Sequence, residues 1–232
     1  MQKTNENFNN ALKLFENSYK HEELIEFLKN GSVIERQFSA LNLICVKSKE
    51  EAEILISNLV GVDGKIREAA ALKIAELTSE TPEFFQNKKI YKKFSQATID
   101  IDGNVCRLAI ISAKNISNDK DFSKFYAKAL LDIINNALDE ISKFTFRDKK
   151  YKINKQIFKI YWCFEGLLYF YNYADEITLK QIIENCSNLS EYTIREKCAK
   201  LVKILPNNKY YENIIEKLKN DENYYVRNIV NN

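Results

Sequence analysis

Few residues in this chain have the types and spacing that support chemistry. A single histidine, His21, followed by Glu22, gives no basis for His-based metal clusters or for Ser-His-Asp and Cys-His catalysis. Five cysteines, Cys45, Cys106, Cys163, Cys186 and Cys198, are odd in number and widely spaced with no C-x-x-C pair. That pattern opposes a disulfide framework or a zinc ribbon, and four of the five lie in apolar helical runs where free Cys acts as a small hydrophobe. No Gly-rich phosphate loop, G-x-S-x-G elbow or pair of metal-binding carboxylates occurs, so neither metal nor cofactor is expected and the chain reads as a non-enzyme. Two constellations remain. Tyr161 and Trp162 precede Glu165 by one turn, which is either an aromatic groove with a carboxylate at its edge or ordinary helix packing. Segment 143–155 carries Lys143, Arg147, Lys149, Lys150, Lys152 and Lys155 against one acid, Asp148. It reads as a solvated loop or as a contact for phosphate or an acidic partner, with Tyr151 or Phe146 placed to stack.

The elements that position these residues follow from composition and period. Five glycines and two prolines in 232 residues are too few for the turns of a sandwich or barrel. An apolar share of 45% supports a continuous core, and a net charge of +3 is far from the balance of a dedicated nucleic-acid binder. No apolar run approaches the ~20 residues of a membrane span. The polar start MQKTNENFNN has no signal-peptide core, so a cytoplasmic location with reduced thiols is expected.

Helical periodicity is pervasive. Phe122, Phe125, Tyr126, Ala129, Leu130, Ile133, Ile134, Ala137, Leu138 and Ile141 alternate gaps of three and four, one stripe on a long helix. Shorter stripes mark first helices of pairs. The second helices open with an aliphatic and a basic residue, at Arg36, Arg67, Arg107, Lys155, Arg195 and Arg227. Six recurrences of one feature make a repeat of helix pairs, lengthened in the middle. Ala40, Leu41 and Ile44, the alanines after Arg67, and Ala199, Leu201 and Val202 read as the residues that set helix spacing. Ser32 with Glu35, Ser48 with Glu51, Thr81 before Pro82, and Asp175 mark helix starts. The middle pair predicts an oversized hairpin, its first helix running to about Phe144 and its second starting at Ile153, with 143–155 as a basic tip.

The segments 62–72 (VDGKIREAAAL) and 221–229 (DENYYVRNI) resemble the intra-repeat turn and second helix of HEAT repeats. The resemblance implies one domain over 1–232: an all-α, right-handed α-α superhelix of five to six helix pairs, elongated, with a capping helix at 5–18. It also implies an Asp–Arg ladder linking successive repeats. Asp221 with Arg227 has the family spacing of six; Asp63 with Arg67 and Glu191 with Arg195 stand four apart, Lys155 replaces Arg, and Arg36 and Arg107 lack a matching acid. Diiron hydroxylases built on such repeats need several His-Glu dyads, which one histidine cannot supply. Alkylpurine DNA glycosylases are similar in length and helical-repeat fold but share no motif beyond aromatic content. The function these features imply is a protein-binding scaffold; the alternative is a nucleic-acid-binding solenoid related to those glycosylases, using the basic hairpin and the aromatic helix.

Overall fold

The computed structural model describes residues 12–144, 146–206 and 208–232, without the side chains of 146–149 and 208. The described residues hold helices and no strand, as the scarcity of turn residues predicts. The chain divides into two compact units, Met1–Phe122 and Ser123–Asn232.

The first unit opens with a short helix α1 (12–16), the described part of the expected capping helix; residues 5–11 of that expectation lie outside the described residues. Three helix pairs follow: α2 (His21–Asn30) with α3 (Val33–Asn42), α4 (Lys49–Ser57) with α5 (Gly64–Glu80), and α6 (Tyr91–Ala97) with α7 (Gly103–Asn115). The second helices pack in series, α3 on α5 and α5 on α7. Their starts are encoded locally. Ser32 accepts from the Glu35 amide while the Glu35 carboxylate accepts from the Ser32 amide, a reciprocal capping box. Asp63 caps α5 by accepting from the Lys65 and Ile66 amides, and Asp102 caps α7 by accepting from the Asn104 amide. Ser48 accepts from the Glu51 amide, but the Glu51 carboxylate turns to the Lys47 amide and to His21. The only histidine is thereby placed in a tie between α2 and α4.

In the second unit α8 (Lys120–Ser142, its first turn belonging to the first unit) and α9 (Phe146–Phe170) form the long central hairpin, followed by α10 (Glu176–Cys186) with α11 (Tyr192–Ile204) and α12 (Glu212–Lys219) with α13 (Tyr224–Asn231). Again the second helices pack in series, α9 on α11 and α11 on α13. The α8 stripe is core: Tyr126, Leu130, Ile134 and Ala137 are buried, as are Phe164, Leu167 and Phe170 of α9, and Tyr126 packs edge to face on Phe170. Gly166 lets these helices approach, since a Cβ there would lie 2.7 Å from Leu130 Cδ1.

Two expectations change. The basic segment is not a loop: α9 begins at Phe146 rather than Ile153, because nothing between 146 and 153 breaks a helix. Leu41 and Ile44 do not space helices; both are exposed, and only Ala40 is buried.

Candidate functional site

The repeat acquires its chemistry at one position, the fourth residue of each second helix. Arg36 in α3, Arg67 in α5, Arg195 in α11 and Arg227 in α13 occupy it. From there the guanidinium reaches back over the turn that precedes its own helix. Arg67 Nη1 donates to the Gly61 and Val62 carbonyls, and Arg195 Nη1 to those of Leu189 and Ser190. Arg227 Nη1 donates to Asp221 O and Glu222 O in the same way. Each thereby satisfies carbonyls that the turn leaves without partners.

The remaining edge of the fork binds the next repeat. Arg67 Nε and Nη2 donate to the two carboxylate oxygens of Asp100 at 2.6 and 3.2 Å. Arg195 does the same to Asp221 at 2.7 and 3.1 Å, with Glu222 added at 3.1 Å. These are bidentate, charge-assisted pairs between arginines that are only 7% and 6% exposed and acids lying 33 and 26 residues downstream. Burial alone would raise the Asp221 pKa, but the Arg195 fork and the Asn223 amide reverse this and hold it below the ordinary aspartate value; the same contact raises that of Arg195.

A ladder therefore exists, with different rungs from those the spacing suggested. Asp63 caps α5 and does not pair with Arg67. Glu191 accepts from the Thr193 hydroxyl, not from Arg195. Asp221 gives Arg227 only its carbonyl, since its carboxylate is taken by Arg195. Arg107 is not a ladder residue: it is exposed, because α7 starts at Gly103 and so puts Cys106 in the fourth place. The Cys106 thiol donates to Asp100 O, six residues back, as an arginine would. Asp100, which no motif singled out, is the acid that completes the rung; the signal for it was its place six residues before the fourth helical residue, where Asp221 also stands.

The basic segment presents Lys150, Tyr151, Lys152 and Lys155 as exposed side chains on the first turns of α9, Tyr151 being 81% exposed. Arg147 and Lys149 lie outside the described side chains. Lys143 is paired with Glu140, and Lys152 Nζ lies 5.3 Å from the Phe144 ring centroid. Lys143, Lys159 and Lys152 together keep the Glu140 carboxyl below its ordinary value.

The aromatic constellation is differently arranged from a base-binding groove. Glu165 is ion-paired with Lys197 of α11, whose ammonium also sits 4.3 Å from the Tyr161 ring centroid. Burial opposes the charge on Lys197, yet Glu165 and Tyr161 outweigh it and raise its pKa. Glu165 is thus a neutralised structural anion and not a free acid. Trp162 packs edge to face on Tyr161 and Phe158, half-buried.

Sequence reasoning missed one surface. Five places after the arginine position, Leu41, Leu72 and Ile111 fall at the ninth residue of α3, α5 and α7, and they are 45, 51 and 37% exposed. The three helices pack side by side, so the residues form one apolar row, with Ile44 beyond the end of α3. In α11 the same place holds Lys200, paired with Glu196. The row became visible only once the register was fixed by Cys106 instead of Arg107.

Among the described residues no group of His, Cys, Asp and Glu can hold a metal ion, and no helix is long and apolar enough to cross a membrane. No protein-family model matches the chain, and no curated protein matches it. Among solved structures, it is similar to a designed armadillo repeat protein, with 13% identity and a TM-score of 0.47 over 91% of this chain and 97% of that one. It is also similar to computationally designed armadillo repeat proteins for modular peptide recognition, at 12% identity and a TM-score of 0.46 over 91% and 97%. An archaeal HEAT-like repeats protein from Thermococcus onnurineus NA1 is 12% identical, with a TM-score of 0.37 over 93% and 98%. Six helix pairs among the described residues, with the fourth residue of α3, α5, α7, α11 and α13 bonded back over the turn before its own helix, make this an all-α helical-repeat fold.

Proposed function

We propose that this chain is a non-enzymatic scaffold that binds a protein partner along the exposed faces of its second helices. The apolar row Leu41, Leu72 and Ile111 carries this reading. Side chains of that size held at one register on three adjacent helices form a continuous patch, and such patches mark interaction surfaces, whereas scattered exposed apolar residues do not. The five cysteines, none of them in a disulfide, support action in a reducing, cytoplasmic setting. A nucleic-acid ligand is the competing reading, favoured by the exposed Lys150, Tyr151, Lys152 and Lys155.

Two variants separate these readings. The first replaces Leu41, Leu72 and Ile111 by Asp; the second replaces Lys150, Lys152 and Lys155 by Glu. Proteins retained from nuclease-treated lysate by the native chain should be lost from the first and kept by the second. Retention that vanishes with nuclease, or with the second variant alone, would move the binding site to α9 and refute the row as the docking surface.

A further inference from the structure

The ladder has a vacant rung inside the first unit, and the vacancy has the chemistry of a receptor. Arg67 and Arg195 each receive a carboxylate from the residue six places before the fourth residue of the following second helix, Asp100 and Asp221. For Arg36 the following second helix is α5, whose fourth residue is Arg67, and six places before it stands Gly61. No carboxylate is delivered there. Arg36 donates from Nε to Gly31 O at 2.8 Å and from Nη2 to Lys29 O at 3.3 Å; among the described residues it has no ion pair. The Nη1 end of its five-donor fork remains for a ligand.

Space accompanies the missing partner. A cleft of about 280 Å³ is lined by Arg36, Ser57, Asn58, Gly61, Val62 and Asp63, and a Cβ built on Gly61 would meet nothing within 4 Å. In the lining, Asn58 is committed to the Leu28 and Ile54 carbonyls and Ser57 to Glu53 O, while Asp63 accepts the Lys65 and Ile66 amides through Oδ1 alone. Arg36 is thus the cleft's one cation with free donors among the described residues.

We propose that this cleft is a binding site for a single carboxylate group, presented by an Asp or Glu of another polypeptide, which completes the rung that Gly61 leaves open. The ligand class is set by the molecule itself, since both intact rungs are filled by aspartate. The Asp63 carboxylate in the lining disfavours a dianion, so phosphate should bind less well than a monoanion.

The test follows the Arg36 Nε–H and the Gly61 and Val62 amides by NMR at ionic strength held constant with chloride. Acetate, phosphate, and an end-capped peptide copying residues 98–103 with its Asp100→Asn, Asp102→Asn form serve as probes. The expected result is a saturable shift at these three groups with acetate, absent in Arg36→Gln, and a half-saturation at least about tenfold lower for the Asp peptide than for its Asn form. Equal response to peptide and acetate would assign the site to small carboxylates. No saturable shift, a shift that survives Arg36→Gln, or equal response to phosphate would overturn the proposal. Gly61→Asp supplies an independent measurement. It should melt at least about 2 °C above Gly61→Asn, which shares its backbone effect but not its charge, and it should no longer respond to acetate. A Gly61→Asp variant no more stable than Gly61→Asn would show that position 61 does not face the Arg36 fork.

Discussion

Replacing Asp100 by Ala should be the most damaging single change on the surface of the first unit. The Arg67–Asp100 side chains are 8 and 10% exposed, so deletion of the acid strands a guanidinium away from water. Breaking one side of a buried pair costs about 3–5 kcal/mol. The lower end applies here because Arg67 Nη1 keeps the Gly61 and Val62 carbonyls, while loss of the Asp102 amide's acceptor adds about 1 kcal/mol. A total of about 3–4 kcal/mol corresponds to a melting temperature lower by roughly 6–16 °C at this chain length. Urea unfolding followed by circular dichroism reads the total, and amide exchange should place the loss in α5 and α7. Arg107→Ala is the control, expected within about 0.5 kcal/mol of the native chain because its side chain is exposed. Adding Arg67→Met to Asp100→Ala should recover much of the loss, since an apolar residue leaves no buried charge behind. If Asp100→Ala stays within about 1 kcal/mol of native, or Arg107→Ala costs as much as it does, the register derived for the ladder is wrong.

Gly166→Val should destabilise the second unit by about 1–3 kcal/mol, as read by urea unfolding, because even a Cβ there intrudes on Leu130. Thiol labelling at pH 8 should show one fast cysteine, Cys45, in the native chain and five after denaturation. Burial pushes Cys106 and Cys186 up to about 12 and Cys198 higher than its ordinary value, so their reactive thiolates are scarce. Asp221 has its folded-state pKa held below the ordinary value of 3.8. Its contribution is therefore complete above that value and is lost as pH falls through the lower folded one. Acid unfolding of the native chain below about pH 4 should be steeper than that of Asp221→Asn, and parallel curves would refute the pairing.

The fold was legible because its signals are local. Alternating gaps of three and four along α8, and caps such as Ser32, Asp63 and Asp175, act through residues within one turn of each other. The rungs were not legible, because they join residues 26 and 33 apart, and a distance along the chain does not say which residue occupies the fourth place of a helix. A one-residue error at Arg107 hid both the role of Asp100 and the row Leu41, Leu72 and Ile111. Glu165 illustrates the same limit at the candidate site. One turn from Trp162 it reads as an available acid, and only the packing of α11 on α9 brings Lys197 to neutralise it.

The start of α9 shows how local and tertiary preferences compete, and it yields a prediction in which one charge change has opposite signs two residues apart. Cations at a helix N-terminus oppose the dipole, which argues for a frayed first turn; the return of α8 supplies what the helix lacks. Glu140 near the end of α8 faces Lys143, Lys152 and Lys159 and is held ionised by them, and Lys152 also lies over the Phe144 ring. Lys152→Glu removes the ring contact, worth about 0.5–1 kcal/mol at an exposed site, and sets two carboxylates against each other. It should lower stability and reduce helicity at 146–155. Lys150, exposed and with neither of those contacts, becomes under Lys150→Glu an acid near the positive end of the helix, so stability should hold or rise. Amide exchange across 146–155 in the two variants reads the difference directly. Equal protection in both would mean that the helix start does not depend on the hairpin partner, and that Glu140 and Phe144 do not hold it.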